Sequence, residues 1–146
     1  MTVYQMAKRF KNRYPDTVAW RIKQNAKVVE RHLNPGEEVK YVFVGQKNDN
    51  PFDIVTTAVV AITNKRILIG SKRVLFGYFL TSITPDMFND LKVVTRIFWG
   101  TVIIDTVKEL VYISNLSKKA LPEIETNVTE NLMEAKKQYA KREKEK

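Results

Sequence analysis

Between residues 38 and 114 the chain is cut into apolar runs too short for typical helices, separated by turn signals; the longest, 54–62 and 74–80, are strand-sized. The runs are rich in β-branched and aromatic residues, which suit a pleated, half-buried surface. They read as seven strands. The first covers about 38–46, with Val39, Tyr41, Phe43 and Gly45 on one side, and the next three cover 54–63, 66–70 and 73–83. Pro85 interrupts, residues 86–98 form a strand with an irregular start, and 101–106 and 109–114 follow. Asn64-Lys65 reads as a two-residue hairpin, because Asn tolerates the positive φ that a tight turn needs. Gly70-Ser71-Lys72, Gly100 and Val107-Lys108 mark the later turns. Seven short antiparallel strands leave exposed edges unless the sheet curls or closes.

Helical spacing flanks this region. Val3, Met6, Ala7 and Phe10 predict a helix over 2–13, which Pro15 ends. Asp16 or Thr17 is placed to cap a second helix, with Ala19, Ile22, Ala26, Val29 and Leu33 on one face and "NPGE" (34–37) as its stop. After the strands, Leu121, Ile124, Val128, Leu132, Ala135 and Tyr139 predict a helix over about 117–142. Ser117 is its expected N-cap, Pro122 is tolerated in its first turn, and Glu123, Glu130, Glu134, Lys137 and Lys141 lie on its polar face. Helices, then strands, then one helix is an α+β order, mainly β. The expected division is a basic helical segment at 1–33 and a unit over 34–146 that ends in the amphipathic helix.

Composition narrows the function. There is no cysteine, so disulfides, thiolate metal sites and cysteine nucleophiles are excluded, and a reducing cytoplasm is the expected location. The start, "MTVYQMAKRFKNRYP", carries charges every few residues and reads as no secretory leader. No run reaches membrane-spanning length, so contact with a membrane, at its inner face, would be peripheral. His32 is the single histidine and lies near a helix end, where a cation favours the C-terminal carbonyls. One histidine and no cysteine leave no His-based metal site and no Cys–His pair, and the five glycines form no phosphate loop. An enzyme, a metal and a cofactor are therefore not expected.

The formal charge is +9, unevenly placed: residues 1–36 hold eight Lys/Arg against Asp16 and Glu30. Lys8, Arg9, Lys11, Arg13, Arg21, Lys23, Lys27 and Arg31 alternate with Tyr4, Phe10, Tyr14 and Trp20. Such a segment attracts acidic protein, anionic lipid or nucleic acid, or packs its apolar face and leaves its charges in water. The moderate apolar stripe favours packing, and nucleic acid is the least favoured partner.

"LNPGEEV" (33–39), "AITNKRILIGS" (61–71), "TSITPDMFNDL" (81–91) and "GTVIID" (100–105), followed by a helix, together resemble the bacterial pleckstrin-homology-like (PH-like) family, of the short YokE-like kind. The resemblance covers about 30–142 and implies a seven-stranded bent barrel capped by the C-terminal helix. It implies a non-catalytic binding module. In lipid-binding members the ligand loops follow strands one, three and six. Here these are 46–53, 70–73 and 106–109, which carry Lys47, Lys72, Arg73 and Lys108. Phosphoinositide-binding members carry a denser basic signature after strand one. This chain has "NDNPFD" instead, with Asp49 and Asp53, which argues against that ligand.

The expected ligand-binding residues are therefore Lys47, Lys72, Arg73 and Lys108. The expected partner or membrane contacts are Lys8, Arg9, Lys11, Arg13, Arg21 and Lys23. Lys65 and Arg66 belong to the opposite end, with roles in solubility and turn geometry. Phe52 and the Phe98-Trp99 pair are expected to fold back over a barrel mouth. The partner is read as a protein or an anionic lipid surface. The alternatives are nucleic acid on the basic helices and a self-associating scaffold subunit.

Overall fold

The computed structural model describes residues 1–48 and 56–145. Two helices, α1 (Val3–Arg13) and α2 (Ile22–Arg31), precede seven strands: β1 (Val39–Gln46), β2 (Thr57–Thr63), β3 (Ile67–Lys72), β4 (Tyr78–Ile83), β5 (Phe88–Thr95), β6 (Gly100–Thr106) and β7 (Leu110–Leu116). A short 3-10 turn leads into α3 (Leu121–Lys144). The strands form one antiparallel sheet in the order β4-β3-β2-β1-β7-β6-β5. The β1–β7 junction holds by a single pair, Gln46 with Ser114, while the ladders on either side are long. The sheet bends there, so its two halves enclose a core that α3 covers. This is the expected PH-like arrangement. Strand β5 also has the irregular start expected of it, a register shift between Phe88 and Asp90.

All seven residues of β2 are buried, because α1 and α2 cover the face of this half-sheet that the core does not. That explains a continuous apolar run, "TAVVAIT", where a one-sided strand would alternate. A capping box between Thr2 and Gln5 starts α1. Val3, Ala7 and Phe10 are its buried face, and the Phe10 ring lies 5.1 Å from Tyr14 and 6.3 Å from Phe43 of β1. One apolar cluster joins these residues to the sheet and to α3.

The second helix begins four or five residues later than its two capping signals predict. Residues 17–20 are not helical, because their polar groups are engaged elsewhere: Val18 N–H donates to Asn115 O, Val18 O accepts from Gln46 Nε2, and Trp20 N–H donates to Thr57 Oγ1. Asp16 and Thr17 therefore cap nothing. Thr17 Oγ1 instead accepts from Ser117 N–H, and α2 starts after Arg21 at φ 50° with no side-chain cap. Ser117 in turn gives α3 no cap, and Pro122 lies in the first turn as expected. His32 is at the end of α2, with Nδ1 2.6 Å from Val28 O, a carbonyl of the last turn, and Nε2 3.1 Å from the Tyr78 hydroxyl.

Two tight hairpins share one device. Thr63 N–H donates to Arg66 O, while Thr63 Oγ1 accepts from the N–H groups of Lys65 and Arg66. Thr106 does the same with Glu109 and Lys108. The Asn64-Lys65 turn is thus where expected, but a threonine hydroxyl holds it and Asn64 needs no positive φ. The expected turn at 70–72 lies further on: Gly70, Ser71 and Lys72 stay in β3, paired with Leu80, Phe79 and Tyr78. Gly70 serves close packing, since a Cβ there would meet Val29 Cγ2 at 2.8 Å. The turn glycine is Gly77, at φ 78°, and Gly77 O accepts from Arg73 N–H.

Two buried-side carboxylates tie the layers together. Glu37, its side chain fully buried, accepts from Arg66 Nε at 2.9 Å and Nη2 at 3.0 Å, from Thr63 Oγ1 and from Asn34 N–H. Arg66 also donates to His32 O and Ser82 Oγ, so its role is an interior ion pair and not surface solubility. Glu123, expected on the polar face of α3, accepts from Arg13 at 2.8 Å, Tyr41 at 2.8 Å and Tyr14 at 3.0 Å. Burial pushes both carboxyls up, but these donors outweigh it and hold both below the ordinary carboxylate value. A depressed folded-state pKa stabilises the fold fully above the ordinary value of 4.5 and is lost as pH falls through the lower folded value. Urea midpoints should therefore hold from neutral pH down to about 5 and fall below that. A Glu123→Gln variant should show a smaller acid-side fall, and an identical fall in both proteins would contradict this assignment.

Candidate functional site

Strand alternation sends the β1–β2, β3–β4 and β6–β7 connections to one end of the sheet. Two of the predicted ligand-loop cations meet there over one ring: Lys47 Nζ lies 4.7 Å from the Phe79 centroid, and the Arg73 guanidinium lies 4.4 Å from it. Burial pushes the Lys47 ammonium below its ordinary value, and Glu109 of the β6–β7 side opposes that shift. Lys72 is half-buried at the end of β3, and Lys108 is exposed beside Glu109. Asp49, Phe52 and Asp53 lie outside the described residues.

The feature the residue pattern did not disclose is the β3–β4 tip. Val74, Leu75 and Phe76 are 65%, 81% and 83% exposed, and Tyr78 and Phe79 beside them are also exposed. Single exposed apolar residues are ordinary, but three in a row at a hairpin tip are not. The run 74–80 reads as strand by composition. Gly77 is the available signal, because a glycine four residues past the Lys72-Arg73 pair also fits a turn.

The end of the sheet includes the start of α2. Asn25 donates to Trp20 O, and its Oδ1 accepts from Lys72 N–H at 2.7 Å, next to the hairpin base. Trp20 is 58% exposed. The six predicted contact cations of the helical segment divide by role. Lys11 donates to the carbonyls of Pro15 and Thr17, and Arg13 pairs with Glu123, so both hold the fold together. Lys8, Arg9, Arg21 and Lys23 are exposed.

At the opposite end, Phe98 is 75% exposed at the outside of the 96–99 turn and does not fold back. Trp99 does turn inward, with Nε1 donating to Asp16 O. No group of three or more His, Asp or Glu side chains is placed to hold a metal ion among the described residues. No helix among them is long and apolar enough to cross a membrane.

No curated protein matches the chain. A bacterial PH domain family profile matches residues 33–130, from just after α2 through the seven strands and into α3. With that match over most of its length and the bent seven-strand sheet closed by α3, the chain belongs to the bacterial PH domain family.

Proposed function

We propose that this protein is a non-catalytic module that docks on an anionic membrane surface through the β3–β4 hairpin. Family membership supports an interaction module in general. The observation that carries the membrane reading is the exposed Val74-Leu75-Phe76 tip with Lys47, Lys72 and Arg73 at its base. Apolar side chains at a tip gain by entering the acyl boundary, while cations at its base meet anionic headgroups. Lys108 extends the cationic rim on the β6–β7 side.

Co-sedimentation with vesicles tests this. The protein should pellet with phosphatidylcholine vesicles containing phosphatidylglycerol, less so at high salt, and far less with phosphatidylcholine alone. Leu75→Ser and Phe76→Ser should each weaken binding roughly ten- to hundredfold, the worth of one apolar side chain transferred from water. Unchanged binding in the double variant would remove the hairpin from the contact and leave its tip for a protein partner.

A further inference from the structure

A cleft of about 320 Å³ opens between α1 and the 19–24 segment, and Trp20 N–H donates to Thr57 Oγ1 at the start of β2, the end of the sheet that carries the hairpin. Lys8, Lys11, Arg21 and Lys23 line it with Tyr4 and Trp20, and no carboxylate does. Glu30 accepts from Tyr4 N–H near the far end of α2 and is not part of the wall. Of the four cations, Lys11 is anchored by two backbone carbonyls, which fixes its ammonium in place. Arg21 sits in the left-handed region at φ 50°, a conformation that costs energy for a residue with a Cβ.

We infer that this cleft binds the phosphate of an anionic phospholipid headgroup, as a second membrane contact beside the hairpin. Four like charges around one cleft, with no carboxylate in its wall, attract an anion to it. Lysines supply point charges and an arginine supplies paired N–H donors, the donor set that phosphate oxygens accept from. Trp20, exposed at the cleft wall, has the mixed apolar and polar character of side chains at headgroup depth. The bridge through Asn25 from Trp20 O to Lys72 N–H sets the cleft beside the hairpin base, so both reach one surface. The cleft lies outside residues 33–130, so the family match does not supply it. The lipid source of the phosphate rests on the membrane reading above; the anion site itself does not.

Two titrations of the full chain separate these claims. In the first, inorganic phosphate and glycerol 3-phosphate are added while the two tryptophan indole N–H signals are followed by NMR. The Trp20 signal should move and that of Trp99 should stay. A Lys8→Ala/Lys23→Ala variant should bind at least about tenfold more weakly, for the loss of charge-assisted bonds. Both lysines are exposed, and an unchanged Trp99 signal reports that the variant is folded. A static Trp20 signal, or equal affinity in the variant, would overturn the site. In the second, the same variant is sedimented with phosphatidylglycerol vesicles and should bind more weakly. Loss of soluble phosphate binding with unaltered vesicle binding would overturn the lipid source. The Leu75→Ser/Phe76→Ser variant should keep soluble phosphate binding while losing vesicle binding. A cleft that binds phosphate as predicted beside a hairpin that makes no difference to vesicles would isolate the failure in the membrane reading.

Discussion

Replacing Arg66 with methionine should lower the unfolding free energy by about 3–5 kcal/mol, the usual loss when one partner of a buried ion pair is removed. Glu37 has no exposed side-chain surface and receives two of its hydrogen bonds from this guanidinium. Methionine fills the volume but leaves the carboxylate buried without its counter-charge. His32 O and Ser82 Oγ lose a donor as well. The melting temperature should fall by roughly 10 °C or more. An Arg66→Met/Glu37→Leu protein should recover much of the loss, because removing both charges also removes the desolvation penalty. A single variant that loses less than about 1 kcal/mol would show that the pair is not structural.

Phe10→Ala is the second large effect expected, about 3–5 kcal/mol from a fully buried aromatic ring. The ring lies against Tyr14 within α1 and against Phe43 in β1, so its removal opens a cavity at the α1–sheet contact. The loss should be local in character. Amide exchange should accelerate through residues 3–13 well before it does so in β2 and β3. Uniform acceleration across the chain would instead mean that α1 unfolds only with the whole. Either result bears on the cleft, because Lys8 and Lys11 of its wall are carried by this helix.

What could be read in advance divides along the range of the interactions. Helix α3 declared itself through Leu121, Ile124, Val128, Leu132 and Ala135, since an amphipathic stripe is a local property of spacing. The strand count and the hairpin at 64–65 were equally local. The start of α2 was not, because residues 17–20 are drawn straight by Gln46, Thr57 and Asn115, far away in the chain. Gly70 and Gly77 show the same limit. One makes room for a helix and the other takes a positive φ, and the bare residue distinguishes neither. Of the candidate site, the loops carrying Lys47, Lys72, Arg73 and Lys108 were placed by the family resemblance. The Lys47–Phe79–Arg73 stack and the apolar tip depend on where the β3–β4 turn falls, and the signal at 70–72 precedes the turn at 73–77. Arg66 reads as a surface cation because its partner lies 29 residues away.

The grip on Glu123 also has a consequence in time. Arg13 and Tyr14 are 110 and 109 residues from the carboxylate that receives them. At about 5–20 residues per second, a ribosome makes α1 roughly 5–20 seconds before it makes that acceptor. Through that interval α1 has its own capping box but no finished seat, and its basic face is open to any anion nearby. The closing of the fold is therefore an event late in synthesis, and long-range closures of this kind are the slow ones.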